Sequence, residues 1–165
     1  MGIGRLAARR FSGCMTILMD MMQVAAVVGA ALVGGVYTAF SVMVMPALRR
    51  SGDQAATTTM VAINRAAERG PFIVIFGAAA ITALGVAVTS LRHNDMGDLA
   101  LAGASLASTA VTLGVNVPLN RRLDQEGAAF WPAYHRRWTA ANTIRAVAAI
   151  TAVGIAGHRF IGGGT

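Results

Sequence analysis

The stretch TLGVNVPLN at residues 112–120, followed after a basic connector by WPAYHRRWTAANTIR at residues 131–145, decides how this chain is read. The first segment closes a long apolar run with Asn116, Pro118 and Asn120. The second opens the next run with Trp131, Tyr134, Trp138, Asn142 and Arg145. On helices, Asn116 and Asn120 stand one turn apart, while Trp131, Trp138, Asn142 and Arg145 step by seven, four and three along another face. Two polar stripes therefore meet where the chain reverses, and the rest reads as apolar scaffolding around them.

At 165 residues a single domain is expected. Hydrophobic residues make up 55% and charged residues 13%, with a mean hydropathy of +0.58, more apolar surface than a water-soluble chain of this size can hide. The implied solvent is lipid. All 14 basic side chains are arginines and the net charge is +7, yet they lie singly or in pairs between apolar runs. That spacing excludes a nucleic-acid-binding stripe and fits anchoring of helix ends at a membrane interface. Cys14 is alone, so no internal disulfide forms, and His93, His135 and His158 share no ligand spacing, so no metal site is expected.

Four charge-free runs cover residues 21–48, 70–91, 99–120 and 146–157. The first three reach the roughly 20 residues that cross about 30 Å of hydrocarbon. The fourth must extend backward through Arg145 toward Trp138, forward through His158 and Arg159, or both. Arg145 then sits inside a transmembrane helix, where it must snorkel or find partners within the bundle. The fold class is thus all-α: a four-transmembrane-helix bundle at residues 21–161, after an N-terminal extension at residues 1–20. Arg5, Arg9 and Arg10 before apolar residues imitate a secretory signal, but Asp20 interrupts the apolar segment and the run that follows is too long for a cleavable core, so a retained first span is expected.

Within the first span Ala30 and Gly34 form a small-residue stripe, followed by Tyr37, Thr38 and Ser41, and Pro46 marks its end. Residues 54–68 of the first connector read as a short amphipathic helix capped near Ser51 or Asp53, either lying flat at the interface or turning Asn64 toward the bundle. In the third span Pro118 frees the carbonyl of Gly114. Trp131, Tyr134 and Trp138 form an aromatic belt at the headgroups, or continue inward with Asn142 and Arg145. Arginine counting places the first and third connectors in the cytoplasm and both termini outside, in a multi-pass cell-membrane protein.

With these residues in place the sequence resembles a four-helix integral membrane family, largely a domain of unknown function, that includes the fungal and bacterial anthrone oxygenases of polyketide biosynthesis. The resemblance rests on GGVYTAFSVMVMPAL at 34–48, MVAINRA at 60–66, NVPLN at 116–120 and the frame Trp131, Trp138, Asn142, Arg145, and runs roughly over residues 34–156. It implies an oxidoreductase acting on a flat, lipophilic phenol or anthrone. Arg145, Asn142 and Asn116 would be the catalytic group that holds an enolate. Tyr37, Asn64, Asn120, Trp131, Tyr134 and Trp138 would bind the aromatic substrate. The family frequently carries a histidine directly after the Asn of the fourth span, where this chain has Thr143; His135 is the alternative base. The competing expectation is a non-enzymatic membrane protein whose Asn/Arg cluster fixes helix register or binds lipid. Expected partners are membrane lipids and a lipophilic aromatic ligand; no cofactor and no oligomeric state follow from these residues.

Overall fold

The computed structural model describes residues 3–162, and every element among them is helical. In order they are α1 (Ile3–Ala39), a π turn (Phe40–Val44), α2 (Met45–Arg50), α3 (Asp53–Arg69), α4 (Pro71–His93), α5 (Met96–Val111), a second π turn (Thr112–Asn116), α6 (Val117–Glu126), a 3-10 turn (Gly127–Phe130) and α7 (Trp131–Gly162). Helices α1, α4, α5 and α7 are the four rods. α4 packs on α1 and α5, and α7 packs on the same two, so the rods close into a ring of neighbours. α3 crosses one end of that ring, against α2, α4, α6 and the 3-10 turn.

Three stretches are long and apolar enough to cross a membrane: Gly13–Arg50, Pro71–His93 and Met96–Arg159. The third is 64 residues long and reverses at the 3-10 turn, so that α5 and α7 pack together as its two legs. The outer surface has the polarity of a protein dissolved in lipid. Leu32, Ile81, Leu84, Leu113, Ile144, Val147 and Ile150 are exposed, while Ser108, Thr112, Asn116, Asn142 and Arg145 are buried. This is a membrane protein.

Because lipid supplies no hydrophobic drive between helices, the middle of the bundle depends on close contact between small residues. Ala26, Ala30, Ala87, Ala102, Ala152 and Ala156 are buried there, and Gly34 packs against Ala149 of α7. Gly29 is the tightest such point: a Cβ built on it would lie 2.8 Å from that of Ala79 on α4. Gly29→Val is therefore expected to destabilise the bundle by about 1–3 kcal/mol, read as a lower unfolding midpoint in detergent. Gly35→Val, where a Cβ meets nothing within 4 Å, is the neutral control.

The α3 end is built differently. Met45, Met60, Leu123, Trp131, Tyr134 and Trp138 form one buried cluster, with large side chains in place of alanines. Trp131 and Trp138 are only 2% and 3% exposed, so of the two sequence readings the inward one holds and the headgroup belt does not: these rings pack with Met60 of α3 and Leu119 and Leu123 of α6. α3 itself is anchored through buried Ala56, Thr57 and Met60, and it does not lie as a free interfacial helix.

Several sequence-based boundaries also shift. α3 is capped by Gly52, not by Ser51 or Asp53; Gly52 has φ 80°, a conformation open mainly to glycine. The Ser51 hydroxyl instead donates to the Ala47 carbonyl at 3.2 Å. The basic connector contracts to the four residues of the 3-10 turn, because α6 continues to Glu126 and Gly127 (φ 66°) makes the reversal. The fourth span extends in both directions within the unbroken α7.

Both intramembrane prolines lie just past a π turn. Proline lacks an N–H and its ring clashes with the carbonyl four residues back, so the preceding turn widens. The Met45 N–H reaches the Phe40 carbonyl and the Val117 N–H reaches that of Thr112, each five residues back. Pro46 does not end its helix, which runs on to Arg50, and at Pro118 the widened turn replaces the single freed carbonyl expected at Gly114.

At the opposite end Arg159 of α7 grips the α4–α5 turn. Its guanidinium binds Asp95 bidentately at 2.6 and 2.8 Å and lies 3.0 Å from Asp98, which accepts from Gln23 of α1. Asp95 also caps α5 through the N–H groups of Gly97 and Asp98. Arg159 and these N–H groups hold the Asp95 carboxyl well below the usual carboxylate range. A folded-state value below the unfolded one gives stability that is present above about pH 4 and lost as pH falls further. Since both Asp95 and Arg159 are 37% exposed, the net contribution is about 1 kcal/mol. The unfolding midpoint should fall as pH drops from about 4 toward 2, and Asp95→Asn should flatten that dependence.

Candidate functional site

The two π turns and α7 bring the polar residues of three rods together. Asn142 is the junction. Its Nδ2 donates to the Tyr37 carbonyl and the Ser41 hydroxyl, both at 2.7 Å, while its Oδ1 accepts from Arg145 Nε at 2.9 Å and Nη2 at 2.7 Å. Both donors and both acceptor positions of this carboxamide are used. Arg145 Nη1 lies 3.4 Å from Thr112 Oγ1, which donates to the Ser108 carbonyl and sits 3.3 Å from the Tyr37 hydroxyl. Ser108 in turn donates to the Arg145 carbonyl at 2.9 Å, tying α5 to α7.

Arg145 is 7% exposed and has no carboxylate among these partners. Its charge rests instead on aromatic faces: Cζ lies 3.9 Å from the Tyr37 ring centroid and 4.9 Å from that of Trp138. Such cation–π contacts contribute about 2 kcal/mol each when desolvated, less than burying a lone cation costs. Three of the five guanidinium N–H donors are used and two are not. A buried cation with spare donors can hold an anion.

Arg145 opens onto a cavity of about 390 Å³, within the roughly 300–1,000 Å³ typical of small-molecule sites. Tyr37, Asn64, Asn116, Asn120, Trp138 and Arg145, all read from the sequence as site residues, line it. Apart from Thr112 and Glu68, the rest of the wall is apolar, with Phe40, Ile63, Phe72, Phe76 and Val117. Val36, Ile73 and Leu113 belong to the lining and are exposed on the lipid-facing surface. The opening is lateral because α4 packs on α1 and α5 but makes no substantial contact with either π turn.

Three other predicted residues stand behind this wall. Asn142 holds Arg145 without lining the cavity. Trp131 stacks on Tyr134, with centroids 5.6 Å apart, and Tyr134 donates to Asn120 Oδ1 at 2.9 Å. Trp138 Nε1 donates to the same oxygen at 2.8 Å, so these rings fix the Asn120 carboxamide. Asn116, 1% exposed, donates to the Trp138 carbonyl at 3.3 Å, but its Oδ1 has no partner. The Asn64 amide nitrogen, beside the Tyr134 hydroxyl, is likewise buried without a hydrogen bond of normal length. Both atoms are buried, on residues that also line the cavity.

Two residues of interest lie elsewhere. Thr143 is exposed and donates to the Thr139 carbonyl, so position 143 faces away from the cavity. His135 packs near Trp131 and is not part of the lining. Glu68, Phe72 and Phe76 escaped the sequence reading. Glu68 follows Asn64 by one helical turn and Phe76 follows Phe72 likewise, so face periodicity was the available signal. Among the described residues no group of three or more His, Cys, Asp or Glu side chains is placed to hold a metal ion.

The family model for anthrone oxygenase matches residues 60–155, 96 of the 165 residues, from Met60 in α3 through most of α7. The chain belongs to the anthrone oxygenase family. The matched region contains Asn64, Asn116, Asn120, Trp138, Asn142 and Arg145, while Tyr37 and Ser41 lie on the first rod, outside it. No curated protein and no solved structure matches the chain. In this member of the anthrone oxygenase family the first rod nonetheless completes the wall, since Tyr37 carries the face on which Arg145 lies.

Proposed function

We propose that this protein is a multi-pass cell-membrane oxygenase that draws a flat, lipophilic anthrone or related phenol from the bilayer into the cavity beside Arg145. The observation that carries the reading is a buried guanidinium, without a carboxylate partner and with two unused donors, opening onto an apolar cavity with a lateral mouth.

The chemistry follows from the ligand. An anthrone carries an acidic methylene opposite its carbonyl, and loss of a proton gives an enolate whose charge develops on oxygen. Arg145 is the donor for that oxygen, and its effect is large because the surroundings are of low dielectric. Asn116 Oδ1 accepts a ring hydroxyl, and Tyr37, Phe72, Phe76 and Trp138 enclose the rings. The enolate then reacts with dioxygen, itself apolar and soluble in the bilayer. Overall the methylene becomes a carbonyl, one oxygen atom enters the product and the other leaves as water, so that anthrone and dioxygen give anthraquinone and water.

The test is oxygen uptake and quinone absorbance with 1,8-dihydroxyanthrone and the protein in lipid nanodiscs. Turnover above that of protein-free nanodiscs is expected. Absence of binding would sink the reading, and binding without oxygen uptake would leave a lipophilic-ligand protein in place of an oxygenase.

A further inference from the structure

We infer that Glu68 is the general base of this site, taking the carbon-bound proton of the ligand whose oxygen Arg145 holds. The inference rests on the anthrone reading above and supplies the group that reading lacks.

Glu68 is the carboxylate that lines the main cavity, and none of the three histidines does. Asp95 and Asp98 pair with Arg159, Asp124 with Arg65 and Glu126 with Arg122, and Asp20 and Asp53 line neither this cavity nor the one beside it. Glu68 has no ion pair or hydrogen bond among the described residues, so its lone pairs are free. It is exposed where Arg145 is buried. A ligand seated with its oxygen on the guanidinium therefore presents its far side toward the rim where Glu68 stands. In an anthrone the acidic methylene lies across the ring from the oxygen, so base and oxyanion donor are wanted on opposite sides of the ligand.

A second observation supplies the proton's exit. Glu68 also lines a smaller polar cavity of about 90 Å³, together with Asn64, Arg65, Asn120, Arg121 and Asp124. Asn64, Glu68 and Asn120 thus form the partition between an apolar chamber open to lipid and a polar one at the arginine-rich end of the bundle. In the step itself the carbon–hydrogen bond breaks, its electron pair stays on the ligand as the enolate, and the proton forms a bond to a Glu68 carboxylate oxygen. Glu68 then returns the proton to water through the polar chamber. The charged groups sharing its two cavities are Arg65, Arg121, Asp124 and Arg145.

The test separates proton transfer from oxygenation. Exchange of the methylene protons of 1,8-dihydroxyanthrone for deuterium is followed by NMR in deuterated buffer without oxygen, using wild type, Glu68→Gln and Glu68→Asp in nanodiscs. Wild type is expected to accelerate exchange over protein-free nanodiscs. Glu68→Gln should lose about 100-fold of that acceleration, while affinity for the anthrone stays within about threefold; Glu68→Asp should retain part of the rate. Wild-type exchange in Glu68→Gln, or wild type that binds without accelerating exchange, overturns the assignment while leaving the binding site standing. Wild type that does not bind overturns both.

Discussion

Arg145→Met is expected to raise the unfolding midpoint in detergent while slowing turnover of 1,8-dihydroxyanthrone at least about 100-fold. Both effects have one cause. The guanidinium is buried on two aromatic faces and one carboxamide, without a carboxylate, so the folded protein bears a desolvation cost that its partners only partly offset. Methionine fills similar volume without charge; it leaves Asn142 Oδ1 short of its donors and removes the long contact to Thr112 Oγ1, a loss of about 1 kcal/mol. The enolate formed in the site, by contrast, loses two charge-assisted hydrogen bonds in low-dielectric surroundings, about 3 kcal/mol or more, and that loss falls on turnover. Arg145→Lys keeps the charge but not the planar fork or the stacking on Tyr37 and Trp138, and should slow turnover about tenfold with the fold intact. A lower midpoint for Arg145→Met would show that the cluster is interhelical glue.

The second large effect is expected at Asn142. Asn142→Leu should destabilise the bundle by about 3–5 kcal/mol, because it strands the Arg145 charge and removes the links to the Tyr37 carbonyl and Ser41. The double variant Asn142→Leu/Arg145→Met should recover most of that loss, since no stranded cation then remains. A double-mutant cycle on thermal or denaturant unfolding measures the coupling, expected at about 2 kcal/mol or more. Additive single effects would mean that the two residues do not depend on each other. The pair is thus predicted to divide its roles: Asn142 stabilises the arginine, and the arginine serves the ligand.

The helix pattern was legible because lipid imposes a simple condition on sequence. A segment that crosses hydrocarbon must satisfy its own backbone and present apolar side chains, so runs such as 70–91 announce themselves. The stripe of Asn116, Asn142 and Arg145 was legible for the converse reason, since polar groups inside such runs need partners and face inward. The aromatic residues were harder to read. Trp131, Tyr134 and Trp138 suit a headgroup belt as well as a core, and only the position of α3 over them, anchored by Met60, makes them core. Glu68 was invisible for a similar reason: in sequence it is one more charge on an amphipathic helix, and it gains meaning from facing the same hollow as an arginine 77 residues away.

The sequence by itself determined the solvent, the four rods, and which side chains could not face lipid, because each of these is set by composition and helical period within one segment. The tertiary structure alone decided that two proline-induced π turns bring Ser41, Thr112 and Asn116 toward α7, and that α4 stands clear of both turns and leaves a chamber beside Arg145. Period places a residue on a face, but whether two faces touch or leave a hollow depends on the splay of separate rods. That splay is fixed by contacts such as Gly29 with Ala79 and Gly34 with Ala149, between residues far apart in the chain.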